Sequence, residues 1–305
     1  MGSAIDGSDS PVLSLRGVDV RRFCNGMFTN NVRDLPVGGT QRTALCDAKG
    51  KLHGLMDLTL VGEQHIRVRL AGVTAEAFEA RYGKYIVFDD VELDDESQLW
   101  ELISVQGAES ADALRAAGWA VPAVGFAVSS GESEVAWHDR CGSGGFDLLV
   151  PRGLAFRLDG AAEVSAAEFD RLRVRAGKVR WPLDMPGRYL LHELGLRDEV
   201  CSFEKGCYIG QEIIHRVDVM GQIRRSLVGL RAEFDGELPT TLSVEVGGVA
   251  VGTATSVMRE DPVNAPLTWM ALAVLRHPHH VAGVAVDWVD RERRVPAVTV
   301  GLPFP

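Results

Sequence analysis

The strongest constraint on what this chain can fold into lies in its last quarter. From Ser226 onward no helical periodicity survives. Short β-rich runs at 227–234, 242–246, 249–258, 269–275, 281–289 and 297–300 are separated by Gly, Pro and Asp turns. Strands this short bury an apolar face only by closing on themselves or by stacking in two layers. The stretch therefore reads as a small all-β barrel or sandwich, bordered near 224–229. The C-terminal domain then spans 225–305.

Upstream, strand and helix signals alternate. Asp19 caps a short helix that stops near Asn25-Gly26. Residues 41–46, 52–61 and 65–70 read as strands, with Asp47-Ala48-Lys49-Gly50 as the hairpin turn between the first two. Thr74 caps a helix over 74–82, strands follow at 91–93 and 99–105, and a helix at 111–117. Strands at 125–129, 134–139 and 146–150 lead to a helix over 165–176, where Ser165 and Glu168 form a capping box. Hairpins mixed with helices indicate an α+β class with largely antiparallel sheets. The chain divides into an N-terminal α+β subdomain (11–105), a second α+β subdomain (106–224) and the barrel.

At 305 residues, with 46% hydrophobic and 24% charged residues, the chain is an ordinary globular protein that needs no covalent staples. Its net charge of −10 argues against broad nucleic-acid binding. Residues 171–225 run the other way, with eleven Lys and Arg against seven Asp and Glu. A basic segment in an acidic protein points to a focused site for a small anion, or simply to a solvated helix face. Five scattered cysteines without a C-x-x-C pair suit free thiols in a reducing compartment. The first residues carry no signal-peptide pattern and read as a short disordered start, and no apolar run is long enough to span a bilayer. The expected location is the cytoplasm.

The densest signal is Ser202-Phe203-Glu204-Lys205-Gly206-Cys207-Tyr208-Ile209-Gly210-Gln211-Glu212. Gln211-Glu212 opens an apolar stretch that looks like a helix start. The pattern places a thiol between Lys205 and a helix N-terminus, and both favour the thiolate. Alternatively, Cys207 is a small buried hydrophobe and Lys205 a solvated charge.

Residues 205–212 resemble the K-G-C-Y-x-G-Q-E signature of the YgfZ family of folate-binding proteins, relatives of the glycine cleavage T-protein (aminomethyltransferase). Gly17, Asp19, Phe23, Gly26, Thr29 and Asn30 are similar to that family's N-terminal pattern. Residues 46–51, with Asp47, Lys49, Gly50 and Lys51, resemble its hairpin, and residues 252–256 and 271–275 its C-terminal barrel. The resemblance implies a T-protein-like ring of three subdomains around a central channel that holds tetrahydrofolate. It implies support of iron–sulfur cluster assembly or repair in client enzymes, with Cys207 as the functional thiol and Lys205 beside it. It leaves open whether the protein turns over a substrate. Two departures stand out. The spacer 178–181 between Gly177 and Pro182 is longer than the family's. Of the T-protein's G-G-x-x-D-D acidic pair only Asp57 remains, which argues against aminomethyl transfer unless Asp57 is a displaced base.

Further ligand candidates surround the motif. Glu193 is suited to the donor edge of a pterin ring, or is a surface helix residue. Arg216 either pairs with Glu212 one helical turn back or meets the glutamate tail of a folate. Asp57, Tyr208, Gln211 and Glu212 complete the candidate binding set. His277-Pro278-His279-His280 reads as a turn between strands rather than a metal site, and the cysteine spacing matches no cluster the chain itself could carry. The competing functions are a folate-dependent one-carbon transferase with Asp57 or Glu193 as base, and a non-catalytic interaction scaffold.

Overall fold

The computed structural model describes residues 2–5, 10–159, 161–221, 223–239, 241–260, 267–291 and 293–305. The first half of the chain runs β1 (Gly2–Ile5), β2 (Val12–Arg16), α1 (Val20–Met27), β3 (Thr40–Cys46), β4 (Leu52–Gly62), β5 (His65–Ala71), α2 (Ala75–Tyr82), β6 (Glu92–Asp95) and β7 (Trp100–Gln106). There follow α3 (Ser110–Ala116), β8 (Ala127–Ser130), β9 (Ser133–Trp137), β10 (Gly145–Pro151), β11 (Ala162–Glu163), α4 (Ala166–Arg175), α5 (Arg197–Val200) and α6 (Gln211–Met220). The rest is all strand: β12 (Arg225–Glu233), β13 (Leu242–Val246), β14 (Val249–Glu260), β15 (Thr268–Arg276), β16 (Ala285–Asp290) and β17 (Arg293–Val300).

These strands form three bodies. A five-stranded sheet has the order β3-β4-β5-β2-β6, a six-stranded sheet the order β11-β1-β7-β10-β9-β8, and β12-β15-β14-β13-β16-β17 close into a barrel. The α+β class and the C-terminal barrel are as expected. Three local readings need correction. Gly2–Ile5, taken as part of a disordered start, pairs antiparallel with β7, whose edge offers unpaired backbone groups. β16 begins only at Ala285. β17 already begins at Arg293, because Val295 and Ala297 alternate inward across a Pro296 that the strand tolerates.

Period-two alternation sets the core of the first sheet. Met56, Leu58 and Leu60 of β4 and Ile66, Val68 and Leu70 of β5 face α1 and α2, packing on Phe23, Phe28, Phe78 and Tyr82. The opposite face is charged: Arg42 of β3, Asp57 of β4 and Arg69 of β5 stand directly across from one another. That row meets the second sheet, where Asp147 of β10 lies opposite the face carrying Phe146, Leu148 and Val150.

A shared apolar core fills the ground between the five-stranded sheet, the barrel and the segment that α4 opens. Ala44, Cys46, Leu52 and Leu55 enter it from the first sheet, and Val174, Met185, Tyr189 and Leu191 from α4 and the segment after it. Met270, Leu272 and Val274 enter from β15. β15 is buried on both faces, because its alternate residues Ala271, Ala273 and Leu275 line the barrel interior. A polar latch fastens α4 to the barrel. Asp184, 1% exposed, accepts from Arg173 Nη1 (2.9 Å), Arg180 N (2.8 Å), Thr255 Oγ1 (2.6 Å) and Ser256 Oγ (2.7 Å). The spacer 178–181 thus supplies part of this latch.

Removing the Asp184 carboxylate takes one of two carboxylate partners from the buried Arg173, which keeps Asp170 at 2.7 Å, and leaves Thr255 and Ser256 without their acceptor. Asp184→Ala is expected to lower unfolding stability by about 2–4 kcal/mol in urea titration. A loss below about 1 kcal/mol would show that the latch carries no weight.

Candidate functional site

The motif segment is zipped onto the first body before it reaches the thiol. Thr29 Oγ1 donates to Val200 O (2.5 Å) and Ser202 N donates to Thr29 O (3.1 Å). Lys205 is 8% exposed, and its Nζ donates to Asn25 O (2.7 Å), Phe28 O (2.6 Å) and Asn30 O (2.8 Å). Asn25 and Phe28 close the C-terminal turn of α1, so the ammonium sits where orphan carbonyls and the negative dipole end favour a cation. Burial pushes Lys205 down to about 8. All three ammonium donors are used on backbone, which turns the expected thiolate partner into a clamp between the motif and α1.

Cys207 lies two residues on and is exposed. Of the five free cysteines, Cys24, Cys46 and Cys201 are buried and Cys141 is half-buried. Tyr208 points back inside, its hydroxyl 3.2 Å from Cys201 Sγ and its ring 4.9 Å from Lys205 Nζ. Burial raises both the Cys201 thiol and the Tyr208 hydroxyl, so neither ionises near neutrality. Gly210, at φ +87°, starts α6, and a Cβ there would stand 2.5 Å from Asp47 O and 3.1 Å from Gly50 Cα. Only glycine lets the 47–50 hairpin and the motif meet backbone to backbone. Gln211 Nε2 lies 3.4 Å from His215 Nε2 on the first turns of α6. Glu212 is exposed there.

Beside the shared core, where hairpin, α6 and barrel meet, opens a cavity of about 870 Å³. Leu190, Ile213, Val217 and Ile223 give it an apolar side. Among the described residues, Glu193 is its one acid. This residue, 5% exposed, accepts from Arg225 Nε on Oε1 (2.9 Å) and from Leu190 N on Oε2 (2.9 Å), with Lys51 Nζ 4.0 Å away. A carboxylate offers about four acceptor positions, so capacity remains for a ligand donor. Arg216, Arg224 and Arg276 complete the lining.

Glu193 and Arg216 therefore meet in one cavity. Glu193 is buried rather than on a surface helix. Arg216 faces the cavity and forms no ion pair with Glu212 among the described residues. Cys207, Lys205, Tyr208, Gln211 and Glu212 are on the adjoining loop and helix start and do not line it. The sequence reading missed Lys51, Arg225, Arg224 and Arg276 as lining residues. The local basic excess ending at Arg224-Arg225 was the available signal for two of them.

Asp57 is placed elsewhere, between the two sheets. It pairs with Arg69 and lies 3.4 Å from Arg42 Nε and 3.3 Å from His138 Nδ1. Asp57, His138 and Asp147 form a three-residue grouping, but Arg42, Arg69 and Arg140 already neutralise its carboxylates. Burial pushes His138 well below the usual imidazole range, leaving it neutral. Burial by itself would raise the Asp147 carboxyl, but Arg140 and Arg69 hold it well below the usual carboxylate range. This is an ionic seam between sheets, and it contributes nothing to the 870 Å³ cavity.

No family model matches the chain. An aminomethyltransferase of Rubrobacter xylanophilus is 28% identical over 309 residues, covering 96% of this chain and 80% of the relative. The tRNA-modifying protein YgfZ of Serratia proteamaculans is 25% identical over 237 residues, covering 76% of this chain and 71% of that protein. The glycine cleavage system aminomethyltransferase T from Bartonella henselae superposes with a TM-score of 0.86 at 19% identity, covering 100% of this chain and 86% of that one. The fold is thus that of the glycine cleavage T-protein. The resemblance to YgfZ proteins and aminomethyltransferases is borne out across most of the chain.

Two outcomes follow from this geometry. Lys205→Met takes the ammonium donor from two buried carbonyls and one half-buried one and should cost about 3 kcal/mol or more in denaturant titration, whereas Cys207→Ser should cost less than about 0.5 kcal/mol. Equal effects would contradict the clamp. Asp147, depressed in the folded state, binds its proton more readily unfolded. Its contribution is complete above the unfolded value near pH ~4 and is lost as pH falls below it. Acid titration of stability should be shallower in Asp147→Asn than in the wild type.

Proposed function

We propose that the protein is a tetrahydrofolate-binding member of the YgfZ-like group that supports iron–sulfur enzymes, with Cys207 as its working thiol. The observation that carries the folate reading is the 870 Å³ cavity in which Glu193 and Arg216 converge. A volume of this size falls in the usual range for small-molecule sites, and apolar walls with few polar groups are the usual lining. The acceptor positions left on Glu193 suit the N–H and amino edge of a pterin, the apolar wall suits the aromatic body, and Arg216 suits the carboxylates of a glutamate tail. No helix among the described residues is long and apolar enough to cross a membrane. Five unpaired thiols agree with a reducing, cytoplasmic setting.

The thiol role rests on exposure. Cys207 alone among the five is open to a client protein or a sulfur donor, and the clamp at Lys205 holds its loop in place. Aminomethyl transfer with Asp57 as base finds no support, because that carboxylate is spent in the ionic seam.

Anaerobic calorimetry with tetrahydrofolate tests the ligand. Saturable one-to-one binding is expected, weakened about tenfold or more in Glu193→Gln, which loses a charged acceptor. Absence of binding up to millimolar ligand would overturn the folate reading. The thiol is tested in cells that lack this gene. Cys207→Ala should fail to restore the activity of iron–sulfur enzymes, and full restoration would remove Cys207 from the function.

A further inference from the structure

A second cavity, of about 300 Å³, borders the same turn and the same barrel strand as the first. Glu193 and Arg225 line the larger cavity, and their near neighbours Leu194 and Leu227 line this one. Val179, Leu194 and Leu196 are buried and give it an apolar wall. Leu302 and Pro303 border it from the C-terminal segment, which is anchored where Phe304 N donates to Arg175 O (2.9 Å). The polar side is built by three charged groups from three segments: Arg42 of β3, Lys178 of the spacer after α4, and Glu199 of α5. The spacer thus has two uses, since its Arg180 serves the latch at Asp184. Arg42 Nη1 donates to Glu199 Oε1 (2.8 Å) and Lys178 Nζ donates to Glu199 Oε2 (3.3 Å). Burial by itself would raise Glu199, but Arg42 and Lys178 hold it below the usual carboxylate range, so it is charged. Arg42 Nε also lies 3.4 Å from Asp57, whose own charge is matched by Arg69.

Two cations therefore share one carboxylate at this wall, which leaves a single positive charge. Donors are left over as well. Arg42 Nη2 and two of the three Lys178 ammonium protons make no hydrogen bond among the described residues. Glu199 has both oxygens in use, so the unmet demand is for an acceptor and not for a donor. We infer that this cavity is a second binding site, for a small monocarboxylate with a compact apolar body. Its carboxylate accepts from Arg42 Nη2 and Lys178 Nζ, and its body lies on Val179, Leu194, Leu196 and Leu227. A single negative charge balances the wall, where a dianion would overshoot it. At roughly 30 Å³ for each non-hydrogen atom the volume admits about ten of them, the size of phenylacetate. Cavities of this size, with apolar walls and a few converging polar groups, are the usual form of small-molecule sites. No described residue lines both cavities, so the site does not depend on the folate reading.

The test titrates the full chain with phenylacetate and with its uncharged isostere phenylacetamide, followed by saturation-transfer NMR. Saturable binding of phenylacetate is expected, with phenylacetamide about tenfold weaker because the charge-assisted hydrogen bonds are lost. Lys178→Gln removes one partly exposed cation and should weaken phenylacetate about fivefold while leaving phenylacetamide unchanged. Thermal unfolding of that variant checks that it is folded. No saturation by phenylacetate up to about 20 mM would overturn the inference. Equal binding of the acid and the amide would also overturn it, since the cavity would then read only the apolar body. Arg216→Gln controls for the larger cavity. Weakening of phenylacetate in Arg216→Gln, with none in Lys178→Gln, would place the acid there and overturn the second site.

Discussion

The arrangement of the site depends on one ammonium group. Lys205 reaches out of the motif segment into the end of α1 and gives each of its three donors to a backbone carbonyl. A charge buried this deeply is tolerable because three carbonyls, at the end of α1 and in the loop just after it, take the place of its water shell. The contact fixes where the chain turns. Cys207 is left outside, Tyr208 is driven inside, and Gly210 is delivered against the 47–50 hairpin. α6 then starts at a set position, and the hairpin carries Lys51 to the edge of the cavity that α6 helps to build.

Two kinds of interface join the three bodies, and their chemistry differs for a reason. The shared core is apolar and closes around β15, which has side chains on both faces to give to it. The contact between the two open sheets is ionic, because the outward face of β3, β4 and β5 carries Arg42, Asp57 and Arg69 in a cross-strand row. Charges in that seam are matched by partners from the opposing sheet. Among the described residues the charges around the cavity are matched only at Glu193, which is why the proposed anionic ligand is assigned to the cavity and not to the more crowded seam.

Much of this was legible in the residues, and the failures are instructive. Alternation and turn chemistry placed the hairpin at 47–50, the helix beginning with Gln211 and the barrel. The octapeptide at 205–212 pointed to the family resemblance. Glu193 and Arg216 were picked out as ligand candidates, and the fold brings them into one cavity. Lys205 was misassigned, because adjacency in sequence to Cys207 says nothing about the direction of a long side chain. Asp57 was grouped with the ligand set, because the strand pattern alone cannot tell which body its outward face meets. Arg224 and Arg276 are far apart in the chain and become neighbours only through the pairing of β12 with β15.

The sequence by itself determined the element types, the barrel, the position of the motif and the presence of a basic stretch in an acidic chain, because periodicity, capping and local charge are short-range properties. The tertiary structure decided that Lys205 is a clamp, that Cys207 is the exposed thiol, that Asp57 belongs to an ionic seam and that Arg216, Arg224 and Arg276, without ion pairs among the described residues, gather at one cavity. Each of those outcomes depends on which distant backbone or side chain arrives opposite a given residue, and long-range pairing of strands and bodies supplies that information.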